Sequence, residues 1–546
     1  MARFATPGVY VKEKNAFGVS GSAVPTAVPA FIGYTEKALM GNTSVLNKPV
    51  KISSMADFEK IFGGAPASSF KVSEDKDAGF VTSLEEKSKF YLYYSMRLFY
   101  ANGGGNCYIV SVGDYSNNVK ADPLLGEKTG GGLKSLLLEQ EPTMIIIPDA
   151  VLLPESECYS LYRDVLKHCG RQTKSRVAIF DVHEGWQPRT SGDDDVVNKY
   201  RDGVGANWLA FGAGYYPWLQ TTIITQDEVN YTNVKDANGL IALLLDEASE
   251  RYLGKSYSGG ASKAASAPAG DKDKAKAPST TSSASAPAAS KAEKKFNDAK
   301  AEIEKIKDKS AKVSVVDQTL KAISPLYRSI LESMREELNL LPTAGAMAGL
   351  YCLVDDQVGV HKAPANVKVN SVVAPSVNIS SEDQEDLNVP MNGIAVNAIR
   401  SFIGKGVLVW GARTMDGNSQ DWRYINVRRT MIMLQQSVKS MMERYVFEPN
   451  TSQTWIKIRA SLVNFLTSMW RQGTLVGSSP TQAFEISLGL GSTMTPQDVL
   501  EGIMRISVKV AISRPAEFIE ITFEQKMQEG VAEGGGDEGG DEGGDE

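Results

Sequence analysis

Few of the 546 residues are of a type and spacing that could do covalent chemistry. The histidines His168, His183 and His361 lie far apart, and none stands in a recognised catalytic context. His168 precedes Cys169 at the expected end of a helix, where an imidazolium would meet the negative end of the helix dipole. Gly254-Lys255-Ser256 has the ending of a phosphate-binding loop, but that loop needs glycine five residues before Gly254, and Ser249 stands there. Gly404-Lys405 fails in the same way, with Ile399 in that place. Asp193-Asp194-Asp195 and Asp355-Asp356 read as solvated loop faces, since a hard cation needs about six converging oxygens. Cys107, Cys158, Cys169 and Cys352 have no paired spacing and read as buried free thiols. The expectation is a protein with no catalytic residue, no metal and no cofactor.

The chemistry that remains is that of unpaired backbone. Near one end, Val9 and Val11 alternate with Tyr10, Lys12 and Lys14 as in a short strand. Near the other, Phe518, Ile519, Glu520, Ile521, Phe523 and Glu524 form a second strand, after the Ser513-Arg514-Pro515-Ala516 break. The first has no strand nearby in sequence with which to form a hairpin, and the second has no later strand to pair with. A lone strand exposes a row of N–H and C=O groups, so each either joins its own domain's sheet or pairs with another chain. Lys12 and Lys14 are opposite in sign to Glu520 and Glu524, and such cross-strand pairs contribute about 0.2–1 kcal/mol each. An arm given to the next copy makes a heterologous contact, which closes a ring or propagates as a helix. Asn15–Ser22, with Gly18 and Gly21, and Ser513–Glu517, with Arg514 and Pro515, are the expected hinges.

Between these ends lie the elements that must hold them. The spacing of Val427, Met431, Leu434, Val438, Met441 and Tyr445 predicts a long helix, with Arg428, Arg429, Lys439 and Arg444 off its apolar stripe and Pro449 stopping it. A second helix is expected over Thr451–Gln472, on Trp455, Ile458, Leu462, Phe465 and Met469, with Gly473 beyond its end. Thr495-Pro496-Gln497-Asp498 reads as a cap and first turn. Ile506, Val508, Val510 and Ile512 mark a strand. Upstream, strands at Val28–Tyr34, Cys107–Val112, Thr143–Pro148 and Val177–Val182 alternate with helices at Ser54–Phe62, Phe90–Tyr100 and Glu155–Cys169. That order favours a parallel or mixed sheet covered by helices. Leu320, Ile323, Tyr327, Ile330, Met334 and Leu338 predict one helix over Thr319–Leu340.

Composition divides the chain. Gly254 to about Lys295 is almost wholly small and polar, with nothing to bury, and is expected to be disordered; Lys294–Lys312 is at best a solvated helix. The segment Glu533–Glu546 carries seven carboxylates and no cation, which accounts for the whole net charge of −7. A body so balanced argues against nucleic acid as a main partner. No apolar run approaches a membrane span and no signal core opens the chain, so an origin in the cytoplasm is expected. The expected fold is mixed α/β and multi-domain. Its parts are an N-terminal arm strand (1–22), an N-terminal and middle α/β region (23–253), a low-complexity insert (254–312), the remainder of the core (313–388), a C-terminal α/β domain (389–512), a C-terminal arm strand (513–528) and an acidic tail (529–546).

Four motifs in order carry a resemblance. They are Val409-Trp410-Gly411-Ala412-Arg413-Thr414, Trp422-Arg423-Tyr424-Ile425-Asn426-Val427-Arg428-Arg429, Phe447-Glu448-Pro449-Asn450 and Arg514-Pro515-Ala516-Glu517-Phe518-Ile519. With Thr6-Pro7-Gly8-Val9-Tyr10-Val11 and Gly345-Ala346-Met347-Ala348-Gly349-Leu350-Tyr351, they resemble contractile tail sheath proteins of phage tails, R-type pyocins and extracellular contractile injection systems. The resemblance implies a helical homopolymer around an inner tube, tied by exchanged arms and bounded by baseplate and tail terminator or cap proteins. It also implies that the C-terminal domain faces the tube, and that the particle is assembled in a bacterial cytoplasm and, in the tail-like case, released. No membrane insertion is implied. The alternatives are a non-contractile tail or capsid protein, a type VI secretion sheath component, and an α/β enzyme acting on nucleotides.

If the arms pair across copies, reversing Lys12 and Lys14 to Glu weakens assembly, and so does reversing Glu520 and Glu524 to Lys. The double reversal recovers part of the loss at low salt. Critical concentrations measured by sedimentation check this, and a double reversal no better than either single one removes the proposed register.

Overall fold

The computed structural model describes residues 23–75, 79–190, 192–257, 286–308 and 310–518. The expected arm residues Val9, Tyr10, Val11, Lys12, Lys14, Ile519, Glu520, Ile521, Phe523 and Glu524, the hinge residues Gly18 and Gly21, and most of the low-complexity insert lie outside them. Contacts divide the chain into two units, 1–514 and 515–546. Of the second, residues 515–518 are described; they have no regular secondary structure, and Phe518 is exposed.

The first unit is built on a nine-stranded sheet, in the order Val367–Lys368, Gly406–Val409, Val396–Phe402, Gly212–Tyr216, Val177–Asp181, Met144–Ile146, Pro29–Gly33, Cys107–Ser111 and Pro49–Ile52. The run from Val396–Phe402 to Cys107–Ser111 is parallel throughout. The strands outside it are antiparallel. A parallel sheet must be covered on both faces, and its strands therefore read as unbroken apolar runs. Alternate residues do go to opposite cores. Phe31, Ile109, Ile146, Ile179 and Tyr215 join one, while Ile32, Val110, Ile145, Phe180 and Tyr216 join the other.

On the first face the helices Leu92–Ala101 and Ala344–Gln357 pack closely. A Cβ on Gly345 would stand 2.7 Å from the Ser95 carbonyl oxygen, and one on Gly349 would stand 2.5 Å from that of Phe99. Two buried carboxylates hold the ends of these helices to the sheet. Asp149 accepts from the backbone N–H of Tyr34 (2.8 Å) and Tyr91 (2.6 Å), and Asp181 from those of Thr343 (2.6 Å) and Ala344 (2.8 Å). The other face carries Glu155–Lys167, Val196–Val204 and Ser381–Asn388.

A third core lies apart from the sheet. The helices Ile425–Glu443 and Ser452–Arg471 pack with the hairpin of Phe484–Leu488 and Ile506–Val510 around Leu434, Met441, Ile458, Leu462 and Phe465. Val396–Phe402 and Gly406–Val409 are strands of the central sheet, and the Ile425–Glu443 helix contributes Ile425 and Ile432 to the first core and Met433, Leu434 and Met441 to the third.

Several expectations need correction. The first long helix ends at Glu443, well before Pro449, because residues 444–448 turn, with Phe447 at a left-handed φ of 70°. The span Thr319–Leu340 holds parts of two helices, Val313–Ile323 and Pro325–Leu338. Ser324 caps the second from its side chain and Pro325 cannot donate to the first, while the apolar stripe runs on across the break. Helix starts at Ala286, inside the stretch expected to be disordered, and runs to Glu304. It is not solvated: Phe296, Ala299 and Ile303 are buried in the first core, and the Phe296 ring lies 5.9 Å from that of Tyr257. Widely spaced small and large apolar residues on one face are enough once a neighbouring helix, Ala237–Leu253, supplies the rest of the core. The replacement Ile303→Ala is expected to lower stability by about 3 kcal/mol, read from denaturation curves. An unchanged curve would return this helix to the surface.

Candidate functional site: the roots of the two chain ends

The residues expected to act sit at the chain ends, and the described parts of both ends are rooted on one helix, Ile425–Glu443. At the N-terminal root the Val24 N–H donates to Ser437 Oγ at 3.0 Å. Two residues on, Thr26 donates through Oγ1 to Asp355 Oδ2 at 2.6 Å, and its carbonyl accepts from Arg429 Nη2 at 3.1 Å. That carbonyl also accepts from Thr143 Oγ1 at 2.7 Å, and Thr143 Oγ1 takes the Val28 N–H at 3.0 Å. The chain is thus held on three sides before it enters the Pro29–Gly33 strand.

Arg429 is the centre of this root. It forms a forked pair with Asp355 on the Ala344–Gln357 helix, Nη1 to Oδ1 at 2.9 Å and Nη2 to Oδ2 at 2.6 Å. Its guanidinium lies 4.7 Å from the centre of the Tyr351 ring, and Tyr351 shares a 2.7 Å hydroxyl contact with Tyr215 of the sheet. Burial pulls the Arg429 pKa down, and the Asp355 carboxylate more than reverses it, leaving it above the ordinary value. The side chains of the pair are 4% and 3% exposed, so neither charge has water as an alternative partner. The Asp355-Asp356 run, expected as a solvated loop face, is helical, with Asp355 as this buried anchor.

At the C-terminal root Asn426, on the first turn of the same helix, donates through Nδ2 to the carbonyls of His361 (2.7 Å) and Ser513 (3.3 Å). Ser513 N–H donates to the Thr474 carbonyl at 3.3 Å, Val476 N–H to that of Ala511 at 2.9 Å, and Leu475 bridges Ile512. Arg514 donates through Nη1 to the Gln420 carbonyl at 2.9 Å. From Asn426 to Ser437 the helix advances about 16 Å, which separates the two roots along it.

The other motif residues fasten this helix to the sheet. Arg428 is buried, stacked 3.7 Å from the Trp422 ring centre and 4.3 Å from that of Phe211. Burial pulls its pKa down to about 10 against the pull of Asp416, and its Nε has no hydrogen-bond partner. A Cβ on Gly411 would lie 2.8 Å from Asn397 Oδ1; that amide bonds the backbone of Arg413 on both sides, at 2.7 and 2.8 Å. Buried Arg413 reaches the Asn388 carbonyl at 2.7 Å. Trp410 is partly exposed against Phe402, with ring centres 4.6 Å apart. Pro449 lies in the turn between the two helices, where its carbonyl accepts the Thr451 N–H at 2.9 Å.

Helical periodicity placed Arg428 and Arg429 off the apolar stripe; both are nevertheless buried, because other segments cover that face. Asp355, Thr26, Ser437 and Asn426 were not singled out as anchors. Their partners are distant in sequence, and only the odd occurrence of polar residues in apolar surroundings marks them. The histidines do not gather. His168 is buried beside Arg176 (Nε2 to Nη1, 3.0 Å), and desolvation with that neighbouring cation pulls its pKa down to about 4. It is therefore neutral, and the expected charge–dipole contact is replaced by a hydrogen bond. His183 contacts the Leu153 carbonyl and His361 the Thr474 hydroxyl. In the acidic run, Asp195 is buried as a helix cap bonded to Arg189 at 2.8 Å. All four cysteines are buried free thiols. No helix among the described residues is long and apolar enough to cross a membrane.

Comparison with known proteins adds a domain match and a shared fold. Residues 418–526 match the model of the phage tail sheath C-terminal domain. The fold is shared with a chain of the anti-feeding prophage baseplate, 23% identical with a TM-score of 0.55, covering 96% of this chain and 100% of that one. It is shared too with the contracted sheath complex of PVC, an extracellular contractile injection system, at 24% identity and a TM-score of 0.54, covering 96% and 99%. The contracted anti-feeding prophage baseplate matches at 22% identity and a TM-score of 0.58, covering 96% and 99%. No curated protein matches the chain in sequence.

Removing one partner of a buried ion pair strands the other charge. Asp355→Leu is expected to cost about 3–5 kcal/mol, and Asp355→Leu combined with Arg429→Met less than either change alone. Denaturant titration of the four proteins checks this; a double variant as weak as the sum of the singles would mean that the pair is not coupled.

Proposed function

We propose that this chain is the repeating subunit of a contractile tail sheath. It would polymerise helically around an inner tube and shorten to drive that tube through a target envelope. The observation that carries the reading is the tail sheath C-terminal domain over residues 418–526, on a helix that roots both chain ends. The solved relatives, which belong to a baseplate and to a contracted sheath, support it by their fold.

The work is mechanical, not catalytic. Each subunit is a rigid body with a three-core interior, and its terminal strands tie it to neighbours by β-augmentation. Val9, Tyr10, Val11, Lys12 and Lys14 form one tie. Phe518, Ile519, Glu520, Ile521, Phe523 and Glu524 form the other, turning at Arg514 and Pro515. Assembly on the tube traps the lattice in an extended state, and triggering at the baseplate releases it to a shorter, wider packing without nucleotide. A tail terminator or cap protein closes the far end. Assembly takes place in the bacterial cytoplasm, and the particle is a phage tail or a phage-tail-like injection system. Neither nucleic acid nor membrane insertion is part of this cycle, and no cofactor is needed.

Electron microscopy of purified particles should show the same subunit in two lattices of different length, while the chain lacking Met1–Lys14 stays folded but forms no lattice. A single lattice length under all triggers would favour a non-contractile tail or capsid protein. Normal sheaths from the truncated chain would remove the donated strand.

A further inference from the structure

Arg428 is 8% exposed, yet no hydrogen bond or ion pair joins its guanidinium to any described residue. The other buried arginines among the described residues are all provided for. Arg176 donates to the carbonyls of Pro142 and Leu136, Arg201 to those of Ile394 and Asp386, Arg413 to that of Asn388, and Arg429 to the Asp355 carboxylate. Around Arg428 the Trp422 and Phe211 ring centres stand at 3.7 and 4.3 Å and cover the guanidinium faces, and Nε is buried without a partner. What stays open is the edge of the two Nη groups. Asp416 acts on it only through space, from beyond ion-pair distance. Burial pulls the Arg428 pKa down to about 10, so the group stays charged at neutral pH.

A charged group taken out of water without an acceptor is costly, and stacking on rings offsets only part of that cost. The same rings fix the plane of the guanidinium, so it loses little freedom when an acceptor arrives. Two Nη groups side by side match a carboxylate, which accepts from both at once. A small free anion would meet this edge as a single exposed ion pair, which is worth little. A carboxylate carried on a large surface is instead held in place by the other contacts of that surface. Arginine and tryptophan together are also the residues on which interfaces concentrate their binding energy. The chain itself carries carboxylates of this kind. Glu382 and Glu385, one turn apart on the Ser381–Asn388 helix, are exposed and make no ion pair among the described residues. With Glu533–Glu546 set aside, cations and anions balance, so copies meet without net repulsion.

We propose that Arg428 is a docking fork for a carboxylate of a second copy of this chain, held ready between Trp422 and Phe211. The fork stands next to Arg429 on the Ile425–Glu443 helix. A contact made there therefore reaches the element that roots both chain ends. The proposal deepens the sheath reading and rests on it, because repeated copies supply the acceptor.

The test uses the full-length chain carrying Arg428→Lys, which keeps the charge and places an amine where a carbodiimide joins it to a touching carboxylate. Isotope-labelled and unlabelled chains are assembled together, coupled and digested, and linked peptides are weighed. Links from position 428 to an Asp or Glu of the other label are expected, and none in dilute, unassembled chains. Same-label links between Lys509 and Glu485, 3.1 Å apart, mark successful coupling. Same-label links only at position 428, or none, overturn the proposal. If the variant does not fold, the unaltered chain is treated with phenylglyoxal, which reacts with open guanidinium groups. Arg428 is expected to react in dilute chains and to be spared in assembled ones, while the buried and paired Arg429 is spared in both. No reaction in dilute chains, or equal reaction in both, overturns the fork as well. Mixed-label links in assemblies that never show two lattice lengths would keep the fork and remove the sheath reading. Two lattice lengths without a link at position 428 would remove the fork alone.

Discussion

The forked pair between Arg429 and Asp355 is the contact on which the rest of the structure depends. It joins three parts that are distant in sequence: the helix covering the sheet, the first helix of the C-terminal core, and the N-terminal segment through Thr26. A buried ion pair adds little net stability compared with apolar residues of the same shape. It adds uniqueness of place, because each charge has only one position in which its desolvation is offset. In the proposed sheath, where each subunit would move as one body, a fixed relation between these parts would matter more than a gain in stability.

The sheet supplies the rigidity behind that contact. Its parallel strands are covered on both faces, and the Gly345 and Gly349 contacts bring the Ala344–Gln357 helix within backbone distance of Leu92–Ala101. Asp149 and Asp181 tie the helix starts to the sheet in the same way. Asp355 therefore sits on a helix with little freedom, and Arg429 is positioned against a fixed target. The path from the chain ends to the centre of the sheet is continuous: Thr26 to Arg429, Arg429 over Tyr351, and Tyr351 to Tyr215.

This arrangement gives both terminal segments a common base. The N-terminal root rests on Ser437 and Arg429, the C-terminal root on Asn426, all on one helix. A load entering at either root reaches the same element, which the stacking of Arg428 between Trp422 and Phe211 fastens to the body. The motif residues of the sequence are mostly such fasteners, not contact residues of a catalytic site.

Local signals in the sequence were enough to determine several of the elements. The stripes of Ile425–Glu443 and Ser452–Arg471, the Thr495 cap and the apolar strands from Pro29 to Asp181 follow from spacing and composition, because each is decided within a few residues. The break at Ser324-Pro325 was also legible there, in the proline, although the continuing stripe concealed it. The sequence could not decide which strands lie side by side, since the order of a parallel sheet follows from crossovers and not from adjacency. Nor could it show that Arg428 and Arg429 are buried, or that the helix ending at Glu304 packs into a core. Burial is a property of what covers a face. The covering segments, around Phe211, Asp355 and Tyr257, lie tens to hundreds of residues away and are brought up only by the tertiary fold.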